Sequence, residues 1–184
     1  EVKEITAPFG MVLNDEIHSV ELVYAGQNVA VTKTATSFYN ERQRVEIDLT
    51  KSLETDEAYG IGKNGEIFDV TFGLYAQKDI TAADGTVIPA DGLIEIISFD
   101  ENGYGKVATD LPFGSYYVRE ISTNSAYIIS DQKYPVIFDY AGQDTATVHI
   151  TANDGEAIEN KIIYGSVSGK KLDEDGKALG GALI

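Results

Sequence analysis

Three polar side chains occupy positions that the sequence pattern assigns to the apolar faces of strands. Successive residues of a strand point to opposite faces, so residues of one parity share a face. Burying an amine, a carboxyl group or a carboxamide is costly unless the group is paired or neutralised, so such placements call for a chemical explanation. Each of the three continues an apolar set of its own parity: Lys51 follows Leu49, Glu120 follows Val118, and Asn160 follows Ile158.

These three groups could react with one another if they meet in an apolar interior. Burial favours the neutral forms of an amine and of a carboxylic acid. A neutral Lys51 amine is a nucleophile, and a neutral carboxyl group at Glu120 can donate a hydrogen bond to the Asn160 carbonyl and shuttle protons. Attack on that carbonyl gives a tetrahedral intermediate and then an amide, with loss of ammonia. We therefore predict a self-formed isopeptide bond between Lys51 and Asn160, assisted by Glu120.

Each of the three residues also has an ordinary structural interpretation. A lysine at the end of a strand commonly extends its amine to water. A glutamate after aromatic strand residues can be an edge charge, and an inward asparagine can cap a bulge or satisfy backbone groups. Singly, these interpretations compete with the cross-link, whereas recurrence of the set in an internal repeat favours it.

That internal repeat relates the beginning of the chain to its second half. Two motifs recur at the same offset of 116 residues: Val2-Lys3-Glu4-Ile5 as Val118-Arg119-Glu120-Ile121, and Tyr24-Ala25-Gly26-Gln27 as Tyr140-Ala141-Gly142-Gln143. Because one register explains both pairs, the chain holds more than one copy of a single unit.

The repeat supplies partial-repeat equivalents of the three candidate residues. Glu4 aligns with Glu120, and after four inserted residues Asn40 aligns with Asn160 and Lys171 with Lys51. We predict that residues 1–43 are the C-terminal portion of one repeat, 44–163 a complete domain, and 164–184 the first strands of a following repeat. The tail 181–184 matches residues 69–72, which lead into the second strand.

The pattern of the whole chain predicts an all-β fold. Short alternating runs rich in Val, Ile, Tyr, Phe and Thr are separated by Gly, Asp and Asn clusters, and helical periodicity is absent. Strands at this spacing without helices between them favour a β-sandwich. Tight turns are predicted at Lys63-Asn64-Gly65, Ala83-Asp84-Gly85, Ala90-Asp91-Gly92, Glu101-Asn102-Gly103 and Asp175-Gly176.

Composition excludes several classes of function. The net charge of −16 disfavours nucleic acid and anionic lipid as partners. The absence of cysteine removes disulfides, zinc thiolate sites and thiol nucleophiles together. No apolar run approaches the roughly 18 residues of a membrane span, and no leader precedes Glu1, so we expect an interior fragment of an exported protein.

Hydrolytic and metal chemistry find little support in the sequence. The two histidines, His18 and His149, lie at different strand positions without the Ser and Asp spacing of a triad. The acidic run Asp173-Glu174-Asp175-Gly176 lacks the alternate-position ligands of a calcium loop and is better explained as a hairpin turn. We predict no metal site and no cofactor.

Several motifs resemble those of a known family. Thr6-Ala7-Pro8-Phe9-Gly10 after Val2-Lys3-Glu4-Ile5 is similar to an E-box, in which an aromatic strand runs into Glu and then Ala-Pro-x-Gly. The segment 71–75 resembles a Phe-x-Leu-Tyr strand, and residues 171–182 resemble a first strand and its turn. These are features of the Cna B-type, or SpaA-type, prealbumin-like domains of Gram-positive pilins and adhesins. The second E-box, residues 121–127, lacks the Ala-Pro pair.

The resemblance implies a fold, a role and a location. It implies prealbumin-like (Ig-like) β-sandwich repeats, in which a first-strand lysine bonds to a last-strand asparagine with help from the E-box glutamate. By position these are Lys51, Asn160 and Glu120. It further implies a non-enzymatic stalk or spacer of a surface adhesin or pilus, with neighbouring repeats as partners. The location would be extracellular, with anchoring to the cell wall through a region outside this chain.

Two further hypotheses concern partners. A ligand-binding adhesin domain could use Tyr59, near Gly60 and Gly62, to hold a glycan or host protein, although a lone loop tyrosine more often packs. The ends are also complementary, because residues 1–43 carry Glu4 and Asn40 whereas residues 164–184 carry Lys171. The tail strand of one molecule could therefore complete the leading fragment of another, head to tail. The alternative is a segment excised from a longer array.

Overall fold

The computed structural model of the chain describes residues 1–82 and 84–181, and in this part the regular structure is almost entirely β. Two short 3₁₀ turns, Glu66–Asp69 and Ala152–Gly155, interrupt the strands. None of the described residues forms a helix long and apolar enough to cross a membrane. The strands are β1 (Val2–Lys3), β2 (Ile17–His18), β3 (Arg44–Leu53), β4 (Thr71–Ala76), β5 (Ile80–Thr81), β6 (Val87–Ile88), β7 (Leu93–Ser98), β8 (Tyr104–Lys106), β9 (Gly114–Ser122), β10 (Tyr134–Phe138), β11 (Thr147–Thr151) and β12 (Ile158–Asn160).

Two four-stranded sheets form the body of the molecule. The first sheet is antiparallel in the order β10-β9-β4-β7. The second is built around the long strand β3, which pairs in parallel with β11 and β12 and antiparallel with β8. Strand pairs β1-β2 and β5-β6 form two small separate sheets. The predicted all-β sandwich is confirmed.

Strands β11 and β12 lie end to end along one side of β3. The Arg44 amide donates to Ala146 and the Glu54 amide to Asn160 on that side, whereas the Lys51 amide donates to Gly103 on the other side. Between β11 and β12 the chain leaves the ladder through Asn153 and Asp154, with φ of 57° and 54°. Asn and Asp tolerate this left-handed region better than most residues. The break lets the last strand return to β3 in register with Lys51.

The core lies between the two sheets and follows the predicted alternation. On β3 and β12 the inward residues include Ile47, Leu49 and Ile158, and on β4 Phe72 and Leu74 face them. Burial of side chains of this kind contributes roughly 1.5–3 kcal/mol each to stability. The opposite sheet completes the core with Ala76, Ile97, Tyr116, Val118, Tyr134, Val136 and Phe138.

Turn glycines occupy the positions that the sequence predicts. Gly65, Gly103 and Gly176 have positive φ of 83°, 76° and 80°. At the 90–92 turn the left-handed residue is Asp91, with φ of 57°, and Gly92 does not adopt positive φ. Gly85 also has positive φ, at 85°; Ala83 of the same turn lies outside the described residues.

Gln43, which is 0% exposed, makes several of the contacts between residues 1–43 and the rest of the molecule. Its side-chain amide donates to the carbonyls of Gly142 (3.0 Å) and Thr145 (2.6 Å) and accepts from the amide of Ala141 (2.8 Å).

Strands β3 to β12 all fall within the predicted domain 44–163. Residues 182–184, which carry most of the proposed match to 69–72, lie outside the described part.

Candidate cross-link site and family membership

The sheet register places Lys51 and Asn160 on one face of neighbouring parallel strands. Lys51 of β3 lies opposite Ile158, and Asn160 of β12 lies opposite Leu53, two residues further along. Diagonal neighbours at this spacing are roughly 7–8 Å apart, within reach of a lysine side chain. Strand β9 of the facing sheet contributes Glu120, which follows the core residue Val118 by two positions.

All three side chains are inside the protein. Lys51, Glu120 and Asn160 are 2%, 4% and 1% exposed. The Lys51 Nζ donates to two backbone carbonyls, of Ser52 at 2.7 Å and Ile158 at 2.8 Å. Burial lowers the pKa of Lys51 from 10.5 to about 8, although the negative charges of Glu120 and Glu159 partly oppose the shift. A substantial fraction of this amine is therefore neutral near physiological pH.

The Asn160 carboxamide is held through its nitrogen. Its Nδ2 donates to Glu120 Oε1 at 2.6 Å and to Thr123 Oγ1 at 3.0 Å. Its carbonyl oxygen, Oδ1, is buried without a hydrogen-bond partner in the described part of the chain. A buried polar atom without a partner usually has a structural or chemical reason. Negative charge would develop on this oxygen during attack by a nucleophile, and the described residues place no donor on it.

Glu120 is fixed at both oxygens. Oε1 accepts from Asn160, and Oε2 accepts from the Ser130 amide at 2.7 Å. The expectation from sequence was a carboxyl group that donates to the Asn160 carbonyl oxygen. The structure instead sets the carboxyl group against the amide nitrogen, because the Thr123 hydroxyl and Glu120 together attract both hydrogens of Nδ2. In this arrangement Glu120 contacts the atom that would leave as ammonia.

Thr123 is the site residue that the sequence reasoning missed. Alternation could not find it, because it follows the end of β9 and lies on no strand face. The repeat aligns it with Ala7, so comparison of the two copies shows a hydroxyl in the second copy at a position where the first has a methyl group.

The first copy of the repeat reproduces the acid–amide pair. Asn40 Nδ2 donates to Glu4 Oε2 at 2.6 Å, and the same oxygen accepts from the Asn14 amide at 2.8 Å. Asn14 is the repeat equivalent of Ser130. Both Glu4 and Asn40 are half-buried. Lys171 is exposed near the Leu172–Ala178 bridge, and the structure does not bring it to this pair.

Comparison with known proteins places this geometry in a family. A sequence profile described as "SpaA: Prealbumin-like fold domain" matches residues 46–156, which is more than half of the chain. The chain belongs to the SpaA prealbumin-like fold domain family. The matched range begins within β3 and ends just before β12, so it includes Lys51 and Glu120 and stops short of Asn160.

Several solved structures are similar to this SpaA-type chain. The Bacillus anthracis TIE protein matches over 96% of the chain and 30% of its own, with 20% identity and a TM-score of 0.51. The minor pilin GBS52 of Streptococcus agalactiae matches over 72% and 51%, with 22% identity and a TM-score of 0.42. The Corynebacterium diphtheriae major pilin SpaA matches over 64% and 30%, with 18% identity and a TM-score of 0.34.

The SpaA-type chain is shorter than these proteins. It spans between about a third and a half of the length of the three structures. A comparison with curated protein sequences gave no significant match.

The remaining sequence candidates lie apart from the buried site of this SpaA-type domain. Tyr59 is 81% exposed on the loop after β3. His18 stacks on Phe38 with ring centroids 4.3 Å apart, whereas His149 lies beside Glu46, so the two histidines share no site. The acidic run at 173–176 forms the predicted hairpin turn: Asp173 accepts from the amides of Asp175 (3.1 Å) and Lys177 (2.7 Å).

Proposed function

We propose that this chain is a structural stalk or spacer module of a bacterial surface adhesin or pilus, closed by an amide between Lys51 and Asn160. The amide forms without an enzyme, with Glu120 as the proton carrier. The module works outside the cell, in a protein anchored to the cell wall through a region beyond this chain. Membership of the SpaA prealbumin-like family supports the structural role.

One observation carries the cross-link proposal. A lysine amine that is 2% exposed and a carboxamide that is 1% exposed lie on one face of neighbouring strands, and the carbonyl oxygen of that carboxamide has no hydrogen-bond partner among the described residues. A structural lysine would normally reach water or pair with a carboxylate. Lys51 instead donates to two backbone carbonyls, which orient the amine, and no carboxylate among the described residues pairs with it directly.

The proposed reaction uses the side chains of these three buried residues. The neutral Nζ of Lys51 attacks the Asn160 Cγ, and Glu120 takes one proton from the attacking nitrogen in the tetrahedral intermediate. The tetrahedral intermediate collapses as the Cγ–Nδ2 bond breaks. Glu120 returns the proton to Nδ2, with which it is already in contact at 2.6 Å, and ammonia leaves. The products are a neutral amide and ammonia, and Glu120 ends in the protonation state in which it began.

The bond would close the domain between its first and last strands. It joins residues 109 positions apart, and a disulfide closing a loop of that length contributes on the order of 4–5 kcal/mol to stability. Because β3 and β12 are parallel, force applied to the two ends of the domain would shear them apart. The amide carries that load between the strands, so the rest of the domain stays folded, and reducing agents cannot break it.

Force spectroscopy of single molecules tests this mechanical role. The wild-type chain, pulled from its ends, should show no extension from residues 52–159. In the Lys51→Ala variant that segment should extend by about 36–39 nm, at the contour length of an extended chain. Equal extension in the two proteins would contradict the proposal.

The partial-repeat residues near the two ends of the chain support a wider use of the same chemistry. We assign Glu4 and Asn40 as the acceptor half of one cross-link, and Lys171 as the donor half of another. Lys171 of one molecule would enter the leading fragment of the next, head to tail. A chain ending at Tyr164 lacks Lys171 and should lose any self-association seen by size-exclusion chromatography. An unchanged oligomeric state would reject this assignment.

A ligand-binding adhesin is the second candidate function. Its supporting observation is Tyr59, which is 81% exposed and so does not pack in the core. An exposed aromatic ring offers a platform for a sugar or a host protein. Micromolar binding on a glycan array or to host-matrix proteins, abolished in Tyr59→Ala and retained in Tyr39→Ala, would favour this function. Tyr39 is similarly exposed, at 78%, and serves as the matched control.

A further inference from the structure

One loop within residues 44–163 makes hydrogen bonds to backbone atoms of the leading fragment, residues 1–43. The receptor loop, residues 140–143, ends in Gln143, whose side chain makes hydrogen bonds to one backbone amide and one backbone carbonyl of the leading fragment. Its Oε1 accepts from the Ala7 amide at 2.9 Å, and its Nε2 donates to the Ile5 carbonyl at 3.4 Å. Its main-chain carbonyl accepts from the Leu13 amide at 2.8 Å.

The other end of the receptor loop adds a fourth backbone contact. The Tyr140 hydroxyl donates to the Met11 carbonyl at 3.1 Å, and its ring lies 4.8 Å from that of Phe9. We call residues 5–13 the ligand segment. Since all four hydrogen bonds reach main-chain atoms of this segment, recognition depends on its backbone course more than on its side chains.

The chain carries a second copy of the receptor loop at residues 24–27, with the same four residue types. The backbone turn is the same in both copies. Gly26 and Gly142 have positive φ of 106° and 95°. The Val29 amide donates to Gly26 at 3.2 Å, as the Thr145 amide donates to Gly142 at 3.4 Å.

The two copies differ in what covers them. Tyr140 and Gln143 are half-buried against the ligand segment, whereas Tyr24 and Gln27 are exposed, Tyr24 at 77%. The second copy therefore presents the same hydroxyl and carboxamide, on the same turn, to solvent.

The ligand segment is repeated as well. In the first copy the Met11 amide closes a turn onto Pro8 at 3.0 Å, and in the second the Tyr127 amide closes the equivalent turn onto Asn124 at 3.0 Å. Each repeat thus has one receptor loop and one ligand segment. In the structure, the ligand segment 5–13 of one repeat docks on the receptor loop 140–143 of the next. We call this contact the 140–143 joint.

We propose that residues 24–27 are a second docking site, which binds the ligand segment of another repeat of this family. The contacts are those of the 140–143 joint: Gln27 takes the place of Gln143, and Tyr24 that of Tyr140. Docking through main-chain groups lets repeats of different sequence stack in one orientation. This surface is separate from the buried cross-link site, so it does not depend on whether the amide forms.

Nuclear magnetic resonance titration of the full ¹⁵N-labelled chain tests the site, because it detects weak binding. The probe is a synthetic peptide with the sequence of residues 3–13. Saturable shifts are expected at the amides of Gly26, Gln27 and Val29, since the 140–143 loop is already occupied within the chain. A scrambled peptide of the same composition should leave these amides unchanged.

Two variants make the test specific. Gln27→Ala removes both side-chain contacts and should weaken peptide binding at least tenfold, whereas the neighbouring Asn28→Ala should bind as the wild type does. The proposal is overturned if the 24–27 amides do not shift. It is also overturned if Gln27→Ala binds as tightly as Asn28→Ala, or if the scrambled peptide binds equally well.

Discussion

Lysines in this chain differ mainly in what surrounds their amines. Lys133 and Lys161 are exposed and each contacts a carboxylate, and the hydrogen bonds to Asp91 and Glu159 raise their pKa values. Lys51 is buried against backbone carbonyls, and its pKa is lowered to about 8. The environment therefore makes this one amine available as a nucleophile at moderate pH.

The lowered pKa predicts how pH affects a chain that cannot form the amide. In Asn160→Ala the Lys51 amine stays free. Between about pH 8 and 10.5 the unfolded state binds a proton at Lys51 that the folded state does not, so stability rises with pH across this window. The gain should approach about 3 kcal/mol. Urea unfolding at a series of pH values measures it.

The control for this pH dependence removes the titrating amine. In Asn160→Ala combined with Lys51→Met the rise between pH 8 and 10.5 should disappear. If the two proteins show the same pH dependence, Lys51 keeps an ordinary pKa in the folded state and the account of its burial is wrong.

Thr123 should control the rate of the proposed reaction, because its hydroxyl orients the Asn160 amide. Replacing Thr123 with Val keeps the shape and removes the hydrogen bond. Loss of one such bond, about 1–1.5 kcal/mol, should slow amide formation roughly tenfold. The share of protein with lowered mass at fixed times after the start of expression measures the rate.

Thr123→Ser is the matched variant, since it keeps the hydroxyl, and it should react nearly as fast as the wild type. A Val variant that reacts as fast as the Ser variant would show that the hydroxyl does not position the amide.

At the residue level the sequence predicts burial well and contact geometry poorly. Alternation alone places Lys51, Glu120 and Asn160 inside, because each continues an apolar face. It cannot show that Glu120 meets the amide nitrogen, since that depends on the hydroxyl of Thr123 beyond the end of β9. The bond itself stays a prediction.

At the scale of elements, the site depends on the pairing of β3 with both of its neighbours. Strand β12 brings Asn160 alongside, and the turn before β8 fixes Lys51 from the other side. At this turn Gly103 approaches so closely that a Cβ would lie 2.0 Å from the Lys51 carbonyl oxygen. Its φ of 76° also disfavours any other residue.

Gly103→Ala should therefore destabilise the domain and displace the Lys51 backbone. In a Lys51→Ala background, which isolates folding from cross-linking, we expect a loss of about 2 kcal/mol or more. Thermal unfolding measures the difference. Gly169→Ala is the control, because a Cβ there meets nothing within 4 Å. Equal melting of the two variants would contradict the close approach at Gly103.

The elements themselves were largely predictable, with one informative exception. Gly and Asn clusters locate the turns because tight hairpins need positive φ, which few other residues supply. The sequence analysis does not predict the break between β11 and β12 at Asn153 and Asp154. Asn and Asp tolerate left-handed φ, so these residues permit a turn, but they do not show that the chain returns to the same strand, β3, after it.

At the scale of the whole molecule, the repeat relates the candidate cross-link site to Glu4 and Asn40, and the 140–143 loop to residues 24–27. The sequence predicts the repeat and its offset, because identical motifs recur in one register. It does not predict that Gln43 would be fully buried between the two copies, since a polar residue before a strand usually faces water. The contact between residues 1–43 and the 140–143 loop exists only when both surfaces are folded, so the sequence alone does not show it.

A stalk built this way would transmit force through two kinds of connection. Within the domain the proposed amide would link β3 to β12. Between units the hydrogen bonds of Gln43 and Gln143 hold the leading fragment in a defined position. The mechanical role of the domain depends mainly on the proposed amide.

Intact-mass spectrometry of the purified full-length chain tests most directly whether the amide between Lys51 and Asn160 forms. Amide formation expels ammonia, so the wild type should weigh about 17 Da less than its sequence requires. Lys51→Ala and Glu120→Ala should each have the full mass of their own sequences. A wild-type chain at its full sequence mass would contradict the account, as would a mass deficit that persists in Lys51→Ala.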